Sequence, residues 1–380
     1  MRVALLANYI APYRLPLYEE IHHRLAEFKI LLSTRMESGR HWEPNWGDLP
    51  VLLQRNISFA GEWKHPNHFS EPLTIQFPYD TVPQLLQYRP DVVISYEMGM
   101  RSLQAALYRS LVRKTQLIIW ATISDVTEQG RGHLRHWLRS ALLRRADAVF
   151  VSGESGARYI RRFGVKPQKL YVIPFTTGLD PFLAIPLARE TGVRSRLIYS
   201  GALTERKGLL PFLTQLTNWA LRNPHRKVEF HLIGDGPLRS QISDFRVPKN
   251  LEVRVLGQVA YDQLPNVYAN GGILAFPTLA DDWGLVVTEA MASGLPVFGS
   301  VYSQAVEELV VDGEGGWTFR PDHPEELRLK LDRALGSPAD ALHRMGAVAR
   351  AAVRDITPAT VADSIMRAVE NVRVKRPAKS

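Results

Sequence analysis

Residues 271–297 of this chain read GGILAFPTLADDWGLVVTEAMASGLPV, in which a strand, an acidic loop and a helix start follow one another directly. The apolar run Ile273–Phe276 lies between Gly and Pro and is typical of a buried parallel strand. The helix predicted over 285–292 has no capping side chain in its first turn. The free N–H groups of Leu285 and Val286 therefore favour an anion such as a nucleotide phosphate.

Two carboxylates flank the start of this helix. Asp281 precedes it, and Glu289 lies on it eight residues later. With the segments 283–285 (WGL) and 289–292 (EAMA), the pair resembles the acidic motif of the retaining, nucleotide-sugar-dependent glycosyltransferases of family 4, which has two Glu with seven residues between them. Asp281 replaces the first Glu and is one methylene shorter. Taken alone, the two acids would favour a solvated loop before an ordinary helix; the whole stretch favours the motif.

The resemblance implies an α/β fold of the GT-B type: two Rossmann-like domains facing each other across a cleft, and a C-terminal helix that crosses back to the N-terminal domain. It implies transfer of a sugar from a nucleotide-diphosphate sugar to a glycan or lipid-linked acceptor with retention of anomeric configuration. Cell-surface polysaccharide synthesis is the expected setting. The resemblance assigns Glu289 to the ribose hydroxyls and Asp281 to the hydroxyls of the transferred sugar.

The 380 residues are enough for two domains of ordinary size. Residues 181–195 mix Pro, Gly and Thr, which is typical of a linker. We therefore expect an acceptor-binding domain over 1–185, a nucleotide-sugar-binding domain over 186–357, and a crossing helix with a basic tail over 358–380. In both halves short apolar strands alternate with helical stretches, which predicts parallel sheets.

A glycine-containing loop, GALTERKG, opens the second domain at Gly201 and ends before a helix predicted over 209–221. Lys207 is predicted to hold the donor diphosphate, because a fixed cation and a helix start both stabilise negative charge. Lys207 is accordingly grouped with the two acids as a catalytic residue. The family carries Arg where Ala202 stands, so Arg206 is the candidate second cation.

A second glycine loop, Gly234-Asp235-Gly236, resembles the family segment beside the nucleotide. The predicted donor-binding set is Arg206, Gly201, Gly234, Gly236, Trp283, Gly284, Leu285 and Val286. Read alone, the loop is a dinucleotide fingerprint that lacks its third Gly, since Arg239 stands there. An NAD(P)-dependent oxidoreductase is therefore one alternative, and a non-catalytic glycan-binding protein with the same fold is another.

Acceptor binding is predicted in the first domain, where the first strand-to-helix loop lies at the carboxyl edge of the sheet. By resemblance this loop places Tyr13 and Arg14 beside the acceptor. The guanidinium of Arg14 suits an acceptor phosphate, and capping of a neighbouring loop is the alternative role. Family members often carry a His after the strand predicted over 117–120; this chain has none there, and Ser124 lies nearest to that position.

An aromatic-rich segment, residues 41–68, is predicted as a long connection that contacts a sugar or lipid, or else forms a plain hydrophobic flap. Its three histidines, His41, His65 and His68, are not spaced as metal ligands.

Basic residues are concentrated in the segment 101–169, which contains 14 Lys or Arg and only 4 Asp or Glu. This surplus suits anionic lipid or a phosphate-bearing acceptor, and nucleic acid is not expected as a partner. Within 131–145 helical spacing predicts an apolar face with Leu134, Trp137, Leu138, Ala141 and Leu142, and Arg131, Arg135, Arg139 and Arg145 largely on another face. Such a helix fits an anionic membrane surface, although packing on the protein's own core is the alternative.

The absence of cysteine excludes disulfides, Cys-zinc sites and a thiol nucleophile. No Asp-x-Asp follows an apolar strand, so we expect a metal-independent enzyme with no cofactor beyond the donor. The N-terminus does not read as a signal peptide, and no apolar run reaches membrane-spanning length. A cytoplasmic address, peripheral at the inner face of the membrane, is expected.

Overall fold

The structure is a computed structural model that describes residues 1–37, 43–189, 192–193 and 196–374. The chain divides into a first unit, Met1–Pro66 with Glu71–Gly178 and the residues from Ile356 onward, and a second unit, Asn67–Ser70 with Leu179–Asp355. The predicted linker residues 190, 191, 194 and 195, the predicted loop residues His41 and Trp42, and tail residues 375–380 lie outside the described residues.

The boundary between the units lies after Gly178, earlier than the expected boundary at 185/186. The reason is the short helix Asp180–Leu183, which falls in the predicted linker. Its Phe182 is buried and packs edge-on against Tyr268 of the second unit, with ring centroids 5.6 Å apart. A segment whose composition indicates a linker therefore begins the second core.

The first unit is built on a parallel sheet of seven strands in the order β3-β2-β1-β6-β7-β8-β9. Its strands are β1 Arg2–Ala7, β2 Glu27–Leu32, β3 Val51–Leu53, β6 Val92–Tyr96, β7 Gln116–Ala121, β8 Ala148–Val151 and β9 Leu170–Val172. Its helices are α1 Leu15–His23, α2 Thr81–Tyr88, α3 Met100–Leu111, α4 His133–Arg145, α5 Glu154–Arg161 and the C-terminal α14 Pro358–Val374. The central strands are apolar along their length because helices cover both faces of a parallel sheet.

The C-terminal helix α14 returns to the first unit, as the fold prediction requires. Ile365 and Val369 are buried in the same core as strand β1, and Arg24 after α1 pairs with Asp363 at 2.7 Å. The second unit thus lies between two parts of the first unit along the chain.

Within residues 41–68, which are predicted as a long connection or a hydrophobic flap, the structure contains strands that were not identified from the sequence. Beyond β3, these residues contribute β4 Asn56–His65, which pairs with β5 Phe69–Pro78 in a separate two-stranded sheet. The sequence does not reveal this strand because Ile57 and Phe59 on β4 are about half exposed. A strand without a buried face lacks the alternation that marks strands in a sequence.

The second unit is built on a parallel sheet of six strands in the order β12-β11-β10-β13-β14-β15. Its strands are β10 Leu197–Ser200, β11 Val228–Ile233, β12 Leu251–Gly257, β13 Ile273–Phe276, β14 Val297–Ser300 and β15 Gly316–Phe319. Its helices are α6 Asp180–Leu183, α7 Leu209–Arg222, α8 Arg239–Ser243, α9 Leu264–Ala269, α10 Leu285–Ala292, α11 Gln304–Leu309, α12 Pro324–Gly336 and α13 Ala339–Val353. The predicted central strand is β13, with the predicted bounds, and it is fully buried.

Helix α4 does not separate apolar from basic side chains as predicted. Arg139 is 3% exposed and pairs with the buried carboxylate of Glu128, whereas Leu134 and Trp137 are 72% and 62% exposed. The prediction is wrong at these positions because Glu128, which precedes the helix, offers a buried partner that helical periodicity does not reveal. In the part of the chain that the structure describes, no helix has both the length and the apolar character needed to cross a bilayer.

Candidate active site

Asp281 lies in the loop that follows β13, at the carboxyl edge of the second sheet. Its N–H donates to the carbonyl of Tyr302 at 2.9 Å, and its Oδ1 accepts from the N–H of Trp283 at 3.4 Å. The carbonyl of Trp283 in turn accepts from the Ser303 hydroxyl. These bonds hold the loop, so the position of the Asp281 carboxylate is set by the backbone around it.

Two cations from the loop between β10 and α7 face the carboxylate of Asp281. The ammonium of Lys207 forms an ion pair with its Oδ2, and Nη1 of Arg206 lies 3.7 Å from the same oxygen. Nη1 of Arg206 also donates to the carbonyl of Ala280 at 3.0 Å. The fold therefore brings together three predicted site residues from two loops that are more than 70 residues apart.

The charge of Asp281 is set by this cluster. Burial alone would raise the pKa of its carboxyl, but the charges of Lys207 and Arg206 outweigh burial and hold the pKa below its ordinary value. Asp281 is therefore ionised at neutral pH. A bound diphosphate would compete with this carboxylate for the same two cations.

Glu289, on α10, is 3% exposed and is held by two tyrosines. The hydroxyl of Tyr261 donates to its Oε1 and that of Tyr268 to its Oε2, both at 3.2 Å. Burial raises the pKa of Glu289 to about 7, and the two hydroxyl donors reduce that rise. The sequence predicts a helix around 261–270 but does not reveal that its tyrosines meet Glu289. The contact depends on how α9, which carries Tyr268, and the 3-10 turn before it, which carries Tyr261, pack against α10.

The start of α10 is uncapped, as the sequence predicts. Its N-cap residue Gly284 has φ of 100° and no side chain caps the helix. Among the described residues, no carbonyl or side chain accepts from the N–H of Leu285 or Val286. Both groups are therefore available to an anion.

The glycines of the two loops predicted to bind the donor allow the backbone to pack closely against neighbouring segments. Gly208 has φ of 65°, and a Cβ there would lie 2.2 Å from the carbonyl oxygen of Pro277. Gly234 has φ of 131°, and its Cβ would lie 1.9 Å from the carbonyl oxygen of Gly201. Packing of the loops thus accounts for these glycines whether or not a ligand is bound.

Gly208→Ala is expected to lower the free energy of unfolding by about 3 kcal/mol, because the methyl group meets a backbone carbonyl and the residue must keep a left-handed φ. Urea denaturation measures the change. Gly336→Ala is the matched control, since a Cβ there meets nothing within 4 Å and φ is not left-handed. Equal losses in the two variants would contradict the packing argument.

Two further predicted residues, Trp283 and Ser124, are buried. Trp283 is 2% exposed, so only its backbone borders the open helix start. Ser124 is 1% exposed, and its hydroxyl is engaged with Thr127 in a turn. Within the described ranges, no three His, Cys, Asp or Glu side chains lie close enough together to hold a metal ion.

Two family models match the chain. Residues 10–176 match the model described as a glycosyl transferase 4-like domain, and residues 194–337 match the model described as glycosyl transferases group 1. Together they cover all strands of the second sheet and every strand of the first sheet except β1. This chain belongs to the group 1 glycosyltransferases. The resemblance to family 4 inferred from the acidic motif is thereby confirmed.

Known proteins resemble this group 1 glycosyltransferase in sequence and in fold. The MMP alpha-(1->4)-mannosyltransferase of Mycolicibacterium hassiacum is 29% identical over 205 residues, which are 53% of this chain and 47% of that protein. The chain thus spans about half the length of this curated relative.

Two solved structures share its fold. The UDP complex of Anabaena HepE has a TM-score of 0.71 at 15% identity, and covers 97% of this chain and 100% of HepE. The lipopolysaccharide outer core galactosyltransferase WaaB, in its apo form, has a TM-score of 0.72 at 12% identity and covers 97% and 99%. At such identities the likeness concerns the fold alone, and the predicted GT-B fold is confirmed.

Proposed function

We propose that this group 1 glycosyltransferase moves a sugar from a nucleotide-diphosphate sugar to a glycan or lipid-linked acceptor, with retention of anomeric configuration. The observation that carries the proposal is the meeting of Lys207 and Asp281 beside the uncapped start of α10. Glu289 lies on that same helix. A diphosphate placed between a fixed cation and a helix start would have a sugar-binding acid on each side.

The diphosphate is the leaving group of the proposed reaction. Negative charge grows on it as the sugar bond breaks, so Lys207 and the N–H groups of Leu285 and Val286 would bind the transition state more tightly than the ground state. When the diphosphate takes over Lys207, the carboxylate of Asp281 becomes available to the hydroxyls of the transferred sugar. Glu289 would accept hydrogen bonds from the ribose diol.

We also propose that the reaction needs neither a divalent ion nor a cofactor beyond the donor. Lys207 and Arg206 already supply, at one point, the positive charge that a metal ion supplies in other phosphate-transfer sites. Transfer that persists in excess EDTA supports this part of the proposal, and activity restored only by added Mg²⁺ or Mn²⁺ contradicts it.

A thermal-shift panel of UDP-, GDP- and ADP-sugars tests the proposal, because a ligand that binds only the folded state raises the melting temperature. The stabilising donor, radiolabelled in its sugar, is then offered to lipid-diphosphate and glycan acceptors. NMR of the anomeric centre of the product reports the stereochemistry. The proposal is wrong if no nucleotide sugar stabilises the protein and no label is transferred.

The oxidoreductase alternative receives no support from its loop. Helix α8 after Gly234-Asp235-Gly236 has only five residues, and Arg239 pairs with Asp235 at 2.9 Å. A nicotinamide fluorescence titration distinguishes the two functions, since only an oxidoreductase would bind NADH.

Helix α4 provides a surface that suits an anionic membrane, where lipid-linked acceptors are found. Leu134 and Trp137 point their apolar side chains into solvent, and Arg144 and Arg145 are exposed near the end of the same helix. Exposed apolar side chains can enter the headgroup region while arginines contact anionic lipid. We propose that α4 lies on such a surface.

Replacing both Leu134 and Trp137 with serine is expected to weaken binding to phosphatidylglycerol-containing vesicles about tenfold or more, because two apolar anchors are lost. Vesicle co-sedimentation measures the effect. Leu329→Ser on α12, a leucine that is also about half exposed, serves as the control and should bind as wild type does. If the double variant binds vesicles as tightly as the wild type does, α4 does not contact the membrane.

A further inference from the structure

Two buried arginines lie at the carboxyl edge of the first sheet, and the donor site does not account for them. Arg14, in the turn after β1, is 5% exposed, and Arg101, in the first turn of α3, is 4% exposed. Among the residues that the structure describes, neither guanidinium lies within ion-pair distance of a carboxylate. Buried charges are ordinarily paired, so the unpaired state of both arginines calls for an explanation.

We propose that Arg14, supported by Arg101, forms an acceptor subsite for an anionic group, so that the acceptor of this transferase carries a phosphate or carboxylate beside its sugar hydroxyls. The inference rests on the proposed function, because it names the chemical class of the acceptor in that reaction.

Arg14 is held by aromatic side chains and still has a free donor. Its guanidinium carbon lies 3.5 Å from the ring centroid of Phe175, 5.1 Å from that of Tyr96 and 5.8 Å from that of Trp120. Its Nη2 donates to the Tyr96 hydroxyl, whereas its Nη1 is buried and donates to nothing in the described structure. Aromatic faces attract a cation but leave that N–H group without an acceptor. An anionic ligand oxygen would supply one.

Arg101 supports this edge of the sheet, but both terminal nitrogens of its guanidinium already donate hydrogen bonds to the protein. Its Nη1 donates to Oδ1 of Asn8 at 2.6 Å and to the Ser33 hydroxyl at 2.7 Å, and its Nη2 donates to the carbonyl of Tyr96 at 2.8 Å. These bonds join the ends of β1, β2 and β6. All three acceptors are neutral, and the carboxylate of Glu97 acts on the charge of Arg101 without a direct hydrogen bond. Arg101 is a positioning residue at this edge.

The loop between β6 and α3 completes the subsite. Glu97 there has φ of 65°, a conformation that side chains other than Gly rarely adopt, and its N–H donates to the carbonyl of Trp120 at 2.7 Å. Its exposed carboxylate accepts from Nδ2 of Asn8 at 3.3 Å. The edge thus places one exposed carboxylate, suited to sugar hydroxyls, near two arginines suited to an anion. A sugar that carries a phosphate or carboxylate satisfies both kinds of group.

Isothermal titration calorimetry with three probes tests the inference: glucose 1-phosphate, glucuronate and the uncharged methyl glucoside. The nucleoside diphosphate of the stabilising donor is kept saturating, so that the probes do not report on Lys207. The wild-type protein is expected to bind at least one charged probe about tenfold or more tightly than methyl glucoside, as one charge-assisted hydrogen bond warrants. Whichever charged probe binds more tightly identifies the anion as phosphate or carboxylate.

Arg14→Gln is expected to abolish the preference for the charged probe, while Arg113→Gln, at an exposed position just after α3, should keep it. Arg14→Lys retains the charge without the planar fork and should keep part of the preference; it also serves as the test variant if Arg14→Gln does not fold. A wild-type protein without preference for an anion, or an Arg14→Gln variant that retains the full preference, overturns the inference and leaves the transferase proposal intact. The difference between wild type and Arg14→Gln is also measured without nucleotide, so it does not depend on donor binding. If no nucleotide binds, the proposed function therefore fails separately from the inference about the acceptor subsite.

Discussion

Lys207→Ala is expected to lower the rate of sugar transfer about 100-fold or more, because it removes the fixed cation from the point where leaving-group charge develops. The change should appear in kcat and in kcat/KM, since the interaction is strongest in the transition state. Circular dichroism and the melting temperature establish that the variant is folded. Arg206 stays 3.7 Å from Asp281, so the carboxylate is not left without a cation.

Lys330→Ala is the matched control for this experiment. Lys330 also pairs with an aspartate of the second unit, Asp312, but neither residue belongs to the candidate site. Its removal should leave the kinetics unchanged. If Lys207→Ala is folded and transfers sugar at the wild-type rate, the diphosphate does not lie at Lys207.

Glu289→Gln is expected to make the ligand-free protein more stable at pH 8 and to weaken donor binding. In the unfolded chain this carboxyl ionises near its ordinary value of 4.5, whereas in the folded protein its pKa is about 7. Between these values the folded state binds more protons than the unfolded state, so the free energy of unfolding falls as pH rises. Above pH 7 the buried carboxylate therefore costs about 3 kcal/mol, which a glutamine does not incur.

Urea denaturation of the wild type and of Glu289→Gln at pH 5 and pH 8 measures this effect. The variant should gain up to about 3 kcal/mol at pH 8 and much less at pH 5. Glu229→Gln provides a control of opposite sign, because Arg196 holds the pKa of Glu229 below its ordinary value and that carboxylate stabilises the fold when ionised. An advantage of Glu289→Gln that is the same at both pH values would show that Glu289 does not titrate near neutrality.

The donor KM of the same variant addresses the role of Glu289. An amide accepts fewer hydrogen bonds than a carboxylate, so the KM for the nucleotide sugar should rise even though the protein is more stable. The carboxylate of Glu289 would then lower the free energy of unfolding of the ligand-free protein and strengthen donor binding. Such an opposition of stability and function is common at functional sites. An unchanged KM would leave Glu289 without a role at the ribose.

The buried strands of this protein were predictable and its exposed strands were not. Strand β13 and the core strands of both sheets are covered on both faces, so each is encoded as a short apolar run between Gly, Pro and polar residues. The strands β4 and β5 bury few side chains, and the boundary helix α6 lies in a segment whose composition is that of a linker. The local pattern of apolar and polar residues predicts a strand or helix only where that element is buried. It does not predict an element whose burial is incomplete or depends on a partner distant in the sequence.

The local segments of the candidate site were predictable, and the contacts between distant segments were not. The acidic spacing, the lysine loop and the uncapped start of α10 are properties of short segments, and each could be read separately. The two tyrosines that hold Glu289 were not predictable. They lie 21 and 28 residues away in the sequence, on α9 and on the 3-10 turn before it, and packing decides whether those segments face Glu289.

The amino-acid sequence by itself determined the α/β class, the family and the segments that form the candidate site, because periodicity and motif spacing are local properties. Only the tertiary structure decided which charges are compensated. It pairs Lys207 with Asp281 and buries Arg139 against Glu128, while it leaves Arg14 among aromatic rings. The physical reason is that the free energy of a charge depends on its burial and on neighbours that are distant in sequence, and neither is encoded in the spacing of residues along the chain.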